Sequence, residues 1–319
     1  MTTNTTPTIV VLGSLNMDLL LRVPRAPAGG ETLLGHSLAQ TPGGKGGNQA
    51  VACARQGGHQ GSHVRLLARI GRDAEGQALR EALQRDGIDL AALQEDPQQP
   101  TGKALVMLED SGQNRIVVLP GANAELAFDD DALAAPLQGA DYLVTQLESP
   151  LPLVLQAVAA ARRAGCKVLL NPSPMQLLPD DLWPQLDTLV LNEIEAADYA
   201  GMPVTTPEEA LAAGRALLAR GTGRVLITLG ARGVVTVERD ACVFQPALKV
   251  AVVDTTAAGD TFTGALVVAL AQGLGTPEAA ARGVRAAALC VTRLGAQASI
   301  PTTEEVEALL PAAPAALNL

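Results

Sequence analysis

Aromatic residues are nearly missing from this chain: one Trp, two Tyr and three Phe in 319 residues. So few rings weigh against a site that stacks bases or nucleosides. Basic residues are also short, 23 against 33 acidic ones, for a net charge of −10. That balance excludes a polyanion partner, whose backbone needs basic patches. It does not exclude a nucleotide, because backbone N–H groups and a few placed cations suffice. Cys53, Cys166, Cys242 and Cys290 are scattered, without a C-x-x-C pair, so neither a zinc ribbon nor a disulfide framework is implied. Single thiols of this kind fit a reducing compartment, and the expected location is the cytoplasm. The start, Met1 to Pro7, lacks the basic and apolar stretches of a secretion signal. No apolar run of membrane-spanning length is uninterrupted by Gly, Gln or Arg. His59 and His63 have helical spacing but lack the acidic partner of a metalloprotease motif.

What is present is aliphatic: 48% of residues are hydrophobic, and a core of Leu, Val, Ile and Ala suits helices packed on a buried parallel sheet. Short apolar runs at Ile9–Leu12, Val64–Ala68, Tyr142–Thr145, Lys167–Asn171, Thr188–Leu191 and Val225–Leu229 read as strands. Gly47–Gln56, Ala74–Arg85, Leu151–Ala164, Ile194–Tyr199 and Pro207–Arg220 read as helices between them. The alternation predicts βαβ units, a mostly parallel sheet with helices on both faces, and sites at the carboxyl ends of strands. Two segments break the rhythm. Asn16–Ser37 alternates weakly, and Lys103–Glu109 with Asn114–Leu119 reads as a hairpin around Asp110 to Gln113. They are expected to form a small separate sheet, a lid over a site that must exclude water. The division expected is a core of residues 1–15, 38–100 and 120–319, with a lid of 16–37 and 101–119. The Ala/Pro-rich tail after Pro311 is expected to fray.

The most informative run is Val253 to Ala265, in which Ala257-Ala258-Gly259 precedes Asp260 and a long apolar stretch, Phe262 to Leu270. A small-residue turn opening a helix exposes backbone N–H groups that lack intrahelical partners, and these favour a phosphoryl group. A carboxylate there can take a proton from an attacking hydroxyl; it can also be a plain N-cap. Earlier, Asn16 and Asp18 stand two apart at a strand end and can address adjacent hydroxyls. Pro42 to Ala50 is a glycine-rich loop with Lys45 and Asn48 as donors. It is not a Walker A loop, since Gly follows the Lys, nor does it have Rossmann spacing. Glu148 lies just past the strand Tyr142–Thr145, where ligand contacts belong in this architecture. Asn192 and Glu195 fall three apart at a helix start; they suit either a hydrated Mg²⁺ or a capping box.

In their joint order these stretches resemble the carbohydrate kinases of the ribokinase type. The resemblance runs through Gly13–Asp18, Gly43–Ala50, Gln146–Pro150, Asn171–Pro174, Asn192–Glu195, Thr228–Gly233, Asp254–Gly264 and Thr292–Pro301, nearly the whole chain. It implies a three-layer α/β/α core with a small β lid, and homodimers joined through the lids. It further implies ATP-dependent phosphorylation of D-ribose at O5 to D-ribose 5-phosphate. Carried over by position, Asn16, Asp18, Gly44, Lys45, Asn48 and Glu148 would hold the pentose. Asp260 would be the base, with an anion hole at Ala257, Ala258, Gly259 and Asp260. Asn192, Thr228, Leu229, Gly230, Ala231, Arg232, Gly233 and Gly259 would lie along ATP, and Asn192 and Glu195 match the Mg²⁺-associated motif. Asp254, Thr256, Cys290, Arg293, Gly295 and Ser299 match the loops around an activating monovalent cation, K⁺. One departure is Val284, where relatives often place Asn or His beside adenine.

Two other readings stand beside this one. The fold could serve deoxyribose, fructose, adenosine or another nucleoside, which a kinetic panel separates. A non-catalytic sugar-binding relative would tolerate loss of the base or the anion turn, and both are intact here.

Overall fold

The computed structural model describes residues 6–58 and 61–319. His59 and residues 1–5 lie outside them, so the His59/His63 pair and the leader reading carry no structural account. The described residues form a ten-stranded sheet and a four-stranded one.

In the large sheet the strands run Leu317–Asn318, Cys242–Pro246, Gly233–Val237, Val225–Thr228, Thr188–Asn192, Lys167–Leu170, Tyr142–Thr145, Thr8–Leu12, His63–Gly71 and Leu93–Asp96. Pairings from Val225–Thr228 to Leu93–Asp96 are parallel; the other edge is antiparallel. Apart from the edge strand Leu93–Asp96, each parallel strand buries apolar residues on both faces. Val10 and Leu12 point into one apolar layer while Ile9 and Val11 point into the other, and Leu189/Leu191 divide from Val190 in the same way. That is the period-two alternation of a strand covered on both sides. Helices Asp130–Leu137, Leu151–Arg163, Glu193–Ala200 and Pro207–Leu218 cover one face. Lys45–Arg55, Ala74–Arg85, Ala258–Ala271 and Thr276–Cys290 cover the other. The fold is the expected three-layer α/β/α core.

From Thr8–Leu12 the chain builds outward through His63–Gly71 in one direction, and from Tyr142–Thr145 in the other. The carboxyl ends of these two neighbouring strands therefore form a topological switch point, the crevice in which open α/β sheets bind ligands. Gly13 and Ser14 leave one strand there; Gln146 and Glu148 leave the other.

The four-stranded sheet has the order Ser37–Gly43, Asn16–Val23, Gly102–Glu109, Asn114–Leu119. Ser37–Gly43, placed with the core by the sequence pattern from residue 38 onward, instead pairs antiparallel with Asn16–Val23 in this sheet. It is an edge strand, with Pro42 and little apolar content, and its pairing rather than its pattern defines it. Leu38, Ile116, Val117, Val118 and Leu119 are exposed on the sheet. A second difference lies at the C-terminus. Leu317–Asn318 pairs with Cys242–Pro246, and Gln245 Nε2 donates to the Pro314 carbonyl at 2.8 Å, so the tail is docked, not frayed. No helix among the described residues is long and apolar enough to cross a membrane.

Candidate active site

Two helices bring the site together. Lys45–Arg55 starts directly after the edge strand Ser37–Gly43, with Gly44 as its N-cap at φ 84°. That positive φ favours glycine, and a Cβ at Gly44 would also sit 2.7 Å from the Asn16 nitrogen. Ala258–Ala271 is apolar around most of its circumference, and Asp260 through Leu270 are all buried, as a helix in a protein interior requires. The two helices touch at Gly264, where a Cβ would lie 2.4 Å from the Ala52 Cβ. Asn48 and Asp260 each sit four residues before that contact, on the same faces. Close approach at Gly264 thus lets Asn48 Nδ2 donate to Asp260 Oδ2 at 2.9 Å across 212 positions of sequence. Gly264→Ala is expected to lower stability by about 1–3 kcal/mol through overpacking and to lower kcat by parting these helices. Urea denaturation and steady-state kinetics on one sample check both.

Asp260 is buried in the first turn of its helix. The turn before it places Ala257 in the left-handed region (φ 60°), the one non-glycine among the described residues with positive φ. Holding an L-residue there costs about 1–2 kcal/mol, strain that clusters at functional turns. The Ala258 N–H donates to the Thr255 carbonyl at 3.2 Å. Gly259 and Asp260 have no intrahelical acceptor for theirs. A Cβ built on Gly259 meets nothing within 4 Å, so this positive helix end is open to an anion.

Around Asp260 the predicted sugar residues converge from the small sheet and the strand ends. Glu148 accepts from the Ser14 hydroxyl at 2.5 Å and from the Lys45 backbone N–H at 3.1 Å, which seats its charge at the positive end of Lys45–Arg55. Asn16 Oδ1 accepts from Asn123 Nδ2 at 2.9 Å, and Asn123 also exchanges bonds with the Leu15 backbone. Asp18 lies over Gly43, where a Cβ would sit 2.1 Å from its carboxylate. Burial pushes the Asp18 carboxyl up to about 7, helped by the negative charges of Glu148 and Asp260. Burial opposes the Lys45 ammonium, but Asp260, Glu148 and Glu195 together outweigh it and hold its proton more tightly than usual. Asp18 Oδ1 and Asn48 Oδ1 are buried acceptors without a hydrogen-bond partner within the protein. Such atoms are costly unless a ligand donates to them, and a polyol offers hydroxyl donors.

The residues assigned to nucleotide and cations fall in two groups. Asn192 and Thr228 are register partners at adjacent strand ends, and Leu229, Gly230, Ala231, Arg232 and Gly233 form the turn that follows. Gly233 passes so close to the next strand that a Cβ would lie 2.1 Å from the Gln245 carbonyl oxygen. Asn192 and Glu195 form a capping box, with Glu195 Oε2 accepting the Asn192 N–H at 3.0 Å. Val284 is buried in the apolar layer with Phe262 and Leu266.

Asp254 Oδ1 accepts from the Thr256 N–H and hydroxyl, and its Oδ2 from the Gly295 N–H at 2.9 Å. Burial works against the ionised Asp254, but the Thr256 hydroxyl and N–H and the Gly295 N–H outweigh it and hold its carboxyl below the usual range. Cys290 Sγ lies 3.1 Å from Ser299 Oγ and 3.7 Å from the Thr256 carbonyl. The Arg293 side chain turns to Glu305 at 2.9 Å. A groove of about 720 Å³ beside Thr276–Cys290 contains none of these residues. Ser14, Gln49, Asn123, Gln146 and Asn171 also line or brace the site, and the sequence offered no signal assigning them a role.

An acid under an open helix N-terminus, facing unpartnered acceptors at a switch point, defines a phosphotransferase site for a polyhydroxylated alcohol. The family model of the pfkB carbohydrate kinases matches residues 6–303, and the chain belongs to that family. It is 39% identical over 299 residues to a ribokinase of Haemophilus influenzae, covering 93% of this chain and 96% of that protein. It is 34% identical over 299 residues to a deoxyribokinase of Salmonella typhi, with 93% and 96% covered. The structure of Arabidopsis thaliana ribokinase complexed with ribose and ATP superposes with a TM-score of 0.89 at 34% identity, covering 96% of this chain and 99% of that one.

Proposed function

We propose that this chain transfers the γ-phosphoryl group of ATP to O5 of D-ribose, giving D-ribose 5-phosphate and ADP. The observation that carries the reading is Asp260, buried at the open helix end beside Asn48. The O5 hydroxyl gives its proton to Asp260 as O5 bonds to phosphorus and the bond to the β–γ bridging oxygen breaks. Charge on the transferring group meets the N–H groups of Gly259 and Asp260. Asn16, Asp18, Lys45, Asn48 and Glu148 hold the sugar's other hydroxyls. Asn192 and Thr228 to Gly233 run along the nucleotide. The four-stranded sheet closes over the sugar, and its exposed Ile116 to Leu119 and Leu38 pair two copies into a homodimer. Four free thiols suit the cytoplasm.

Two ions belong to the reading. No cluster of three or more His, Cys, Asp or Glu among the described residues forms a metal cage. That fits Mg²⁺, which is held largely by phosphates and water, with Asn192 and Glu195 reaching it through water. When bound it neutralises charge on the phosphates. Asp254, one carboxylate among hydroxyls and carbonyls, fits a single positive charge better than two. K⁺ there would order the 254–260 turn without touching the sugar. Replacing K⁺ by Na⁺, and then omitting both, is expected to lower activity stepwise; equal rates in all three buffers would remove the cation from the account.

The 34% identity to a deoxyribokinase keeps the 2-deoxy sugar as the competing acceptor. ADP release with ribose, deoxyribose, fructose and adenosine decides. The largest kcat/KM is expected with ribose, and a wide margin for any of the others would overturn that choice.

A further inference from the structure

Beneath Asp260 lies a chain of buried amides that the proposed chemistry does not use directly. Gln49 and Gln146 are fully buried. Gln49 Nε2 donates to Asp260 Oδ1 at 2.9 Å and to Asn171 Oδ1 at 3.1 Å. Its oxygen accepts from Gln146 Nε2 at 2.6 Å. Asn171 is set by its own amide nitrogen, which donates to the Val190 carbonyl at 3.0 Å. The orientations of Asn171 and Gln49 follow from these bonds, while Gln146 Oε1 has no partner within the protein. A backbone carbonyl fixes Asn171, Asn171 and Gln146 fix which end of Gln49 faces Asp260, and a carboxylate can only accept.

The anchoring points are rigid: Gln146 and Asn171 directly follow the buried strands Tyr142–Thr145 and Lys167–Leu170, and the Asn171 N–H bonds the Thr145 carbonyl. The terminal torsion of an Asp is soft, so a lone carboxylate sweeps a wide arc. Donors on both oxygens, Asn48 on one and Gln49 on the other, pin its plane. Asn48 has an unpartnered oxygen of its own and is assigned to the sugar. Gln49, enclosed on all sides, has no other duty.

We infer that Gln49, oriented by Gln146 and Asn171, is a positioning residue that fixes the Asp260 carboxylate in line with the hydroxyl it deprotonates. The inference rests on Asp260 being the base. Gln49→Met keeps length and volume but removes the donor. Its kcat is expected to fall about 10- to 100-fold, with KM for ribose and ATP within about threefold. The Gln49→Met/Gln146→Met double variant removes the stranded Gln146 amide, so its Tm should recover in part while kcat stays low. Gln146→Met alone frees the Gln49 oxygen and should cost about 3- to 10-fold in kcat; it serves as the test if Gln49→Met does not fold.

A kcat within threefold of wild type in Gln49→Met, or one that recovers together with Tm in the double variant, overturns the inference. Where Gln49→Met does not fold, an unchanged kcat in Gln146→Met does the same. Asp260→Ala is measured alongside, with whichever acceptor the wild type uses best. If Asp260→Ala keeps its kcat, the base itself is wrong. If it loses activity and Gln49→Met does not, only the positioning role is lost.

Discussion

Asp260→Ala should reduce kcat by about 10² to 10⁴-fold, the usual loss for a positioned base, while the dissociation constant for ribose changes little. The split follows from the geometry. Asp260 stands at the helix end, where its oxygens meet Asn48 and Gln49. In the proposed complex Asn16, Asp18, Lys45 and Glu148 hold the sugar from the small sheet and the strand ends, apart from Asp260. Removing the base leaves those contacts in place, and the N–H groups of Gly259 and Asp260 remain to receive the phosphoryl group. Ribose affinity is read from the ribose-induced rise in Tm, and turnover from ADP release. Near-native kcat in this variant would sink the assignment.

The second large effect concerns Asp18. Its carboxyl titrates near 3.8 in the unfolded chain and about 7 in the folded one, because burial disfavours its charge and Glu148 and Asp260 add repulsion. Between those values the native state binds more protons than the unfolded state, so stability falls as pH rises through the window. The whole loss, reached above about pH 7, is at most about 4 kcal/mol at 1.36 kcal/mol per unit. Asp18→Asn carries no such titration. It should therefore be more stable than wild type at pH 8 by a few kcal/mol, with the gap closing toward pH 4. The same change should weaken ribose binding at least about tenfold, since it removes a charge-assisted acceptor. Urea denaturation at both pH values checks the first part. A stability gap independent of pH would show that Asp18 is not the group responsible. Both outcomes together describe a residue kept for its ligand at the expense of the fold.

How much of this was legible beforehand follows from what each element depends on. The inner parallel strands could be read because they are buried on both faces and need continuous apolar runs, as in Tyr142–Thr145 with every residue buried. Strand Ser37–Gly43 could not. It lies at a sheet edge, mostly exposed, and is defined by hydrogen bonds to Asn16–Val23. The docked tail escaped for a similar reason, since Leu317–Asn318 is a strand only because Cys242–Pro246 is beside it. Among the candidate site residues, those proposed from the sequence have a local signature: Asp260 after its turn, Lys45 and Asn48 in the glycine loop, Glu148 past a strand. Gln49, Gln146, Asn123 and Asn171 have none. A buried amide looks like any other until its partners are known.

The sequence by itself determined the order of chemistry along the chain: a small-residue turn, an acid and an apolar helix, preceded by a glycine-rich loop and acids at strand ends. Those are local features, written in adjacent residues. Only the tertiary structure decided which of them meet. Asn48 and Asp260 are 212 positions apart. They touch because Gly264 lets two helices pack without a side chain between them. The fold likewise buries Asp18, which with Glu148 and Asp260 nearby raises its carboxyl to about 7. Charge repulsion and burial act through space, and no spacing along the chain encodes them.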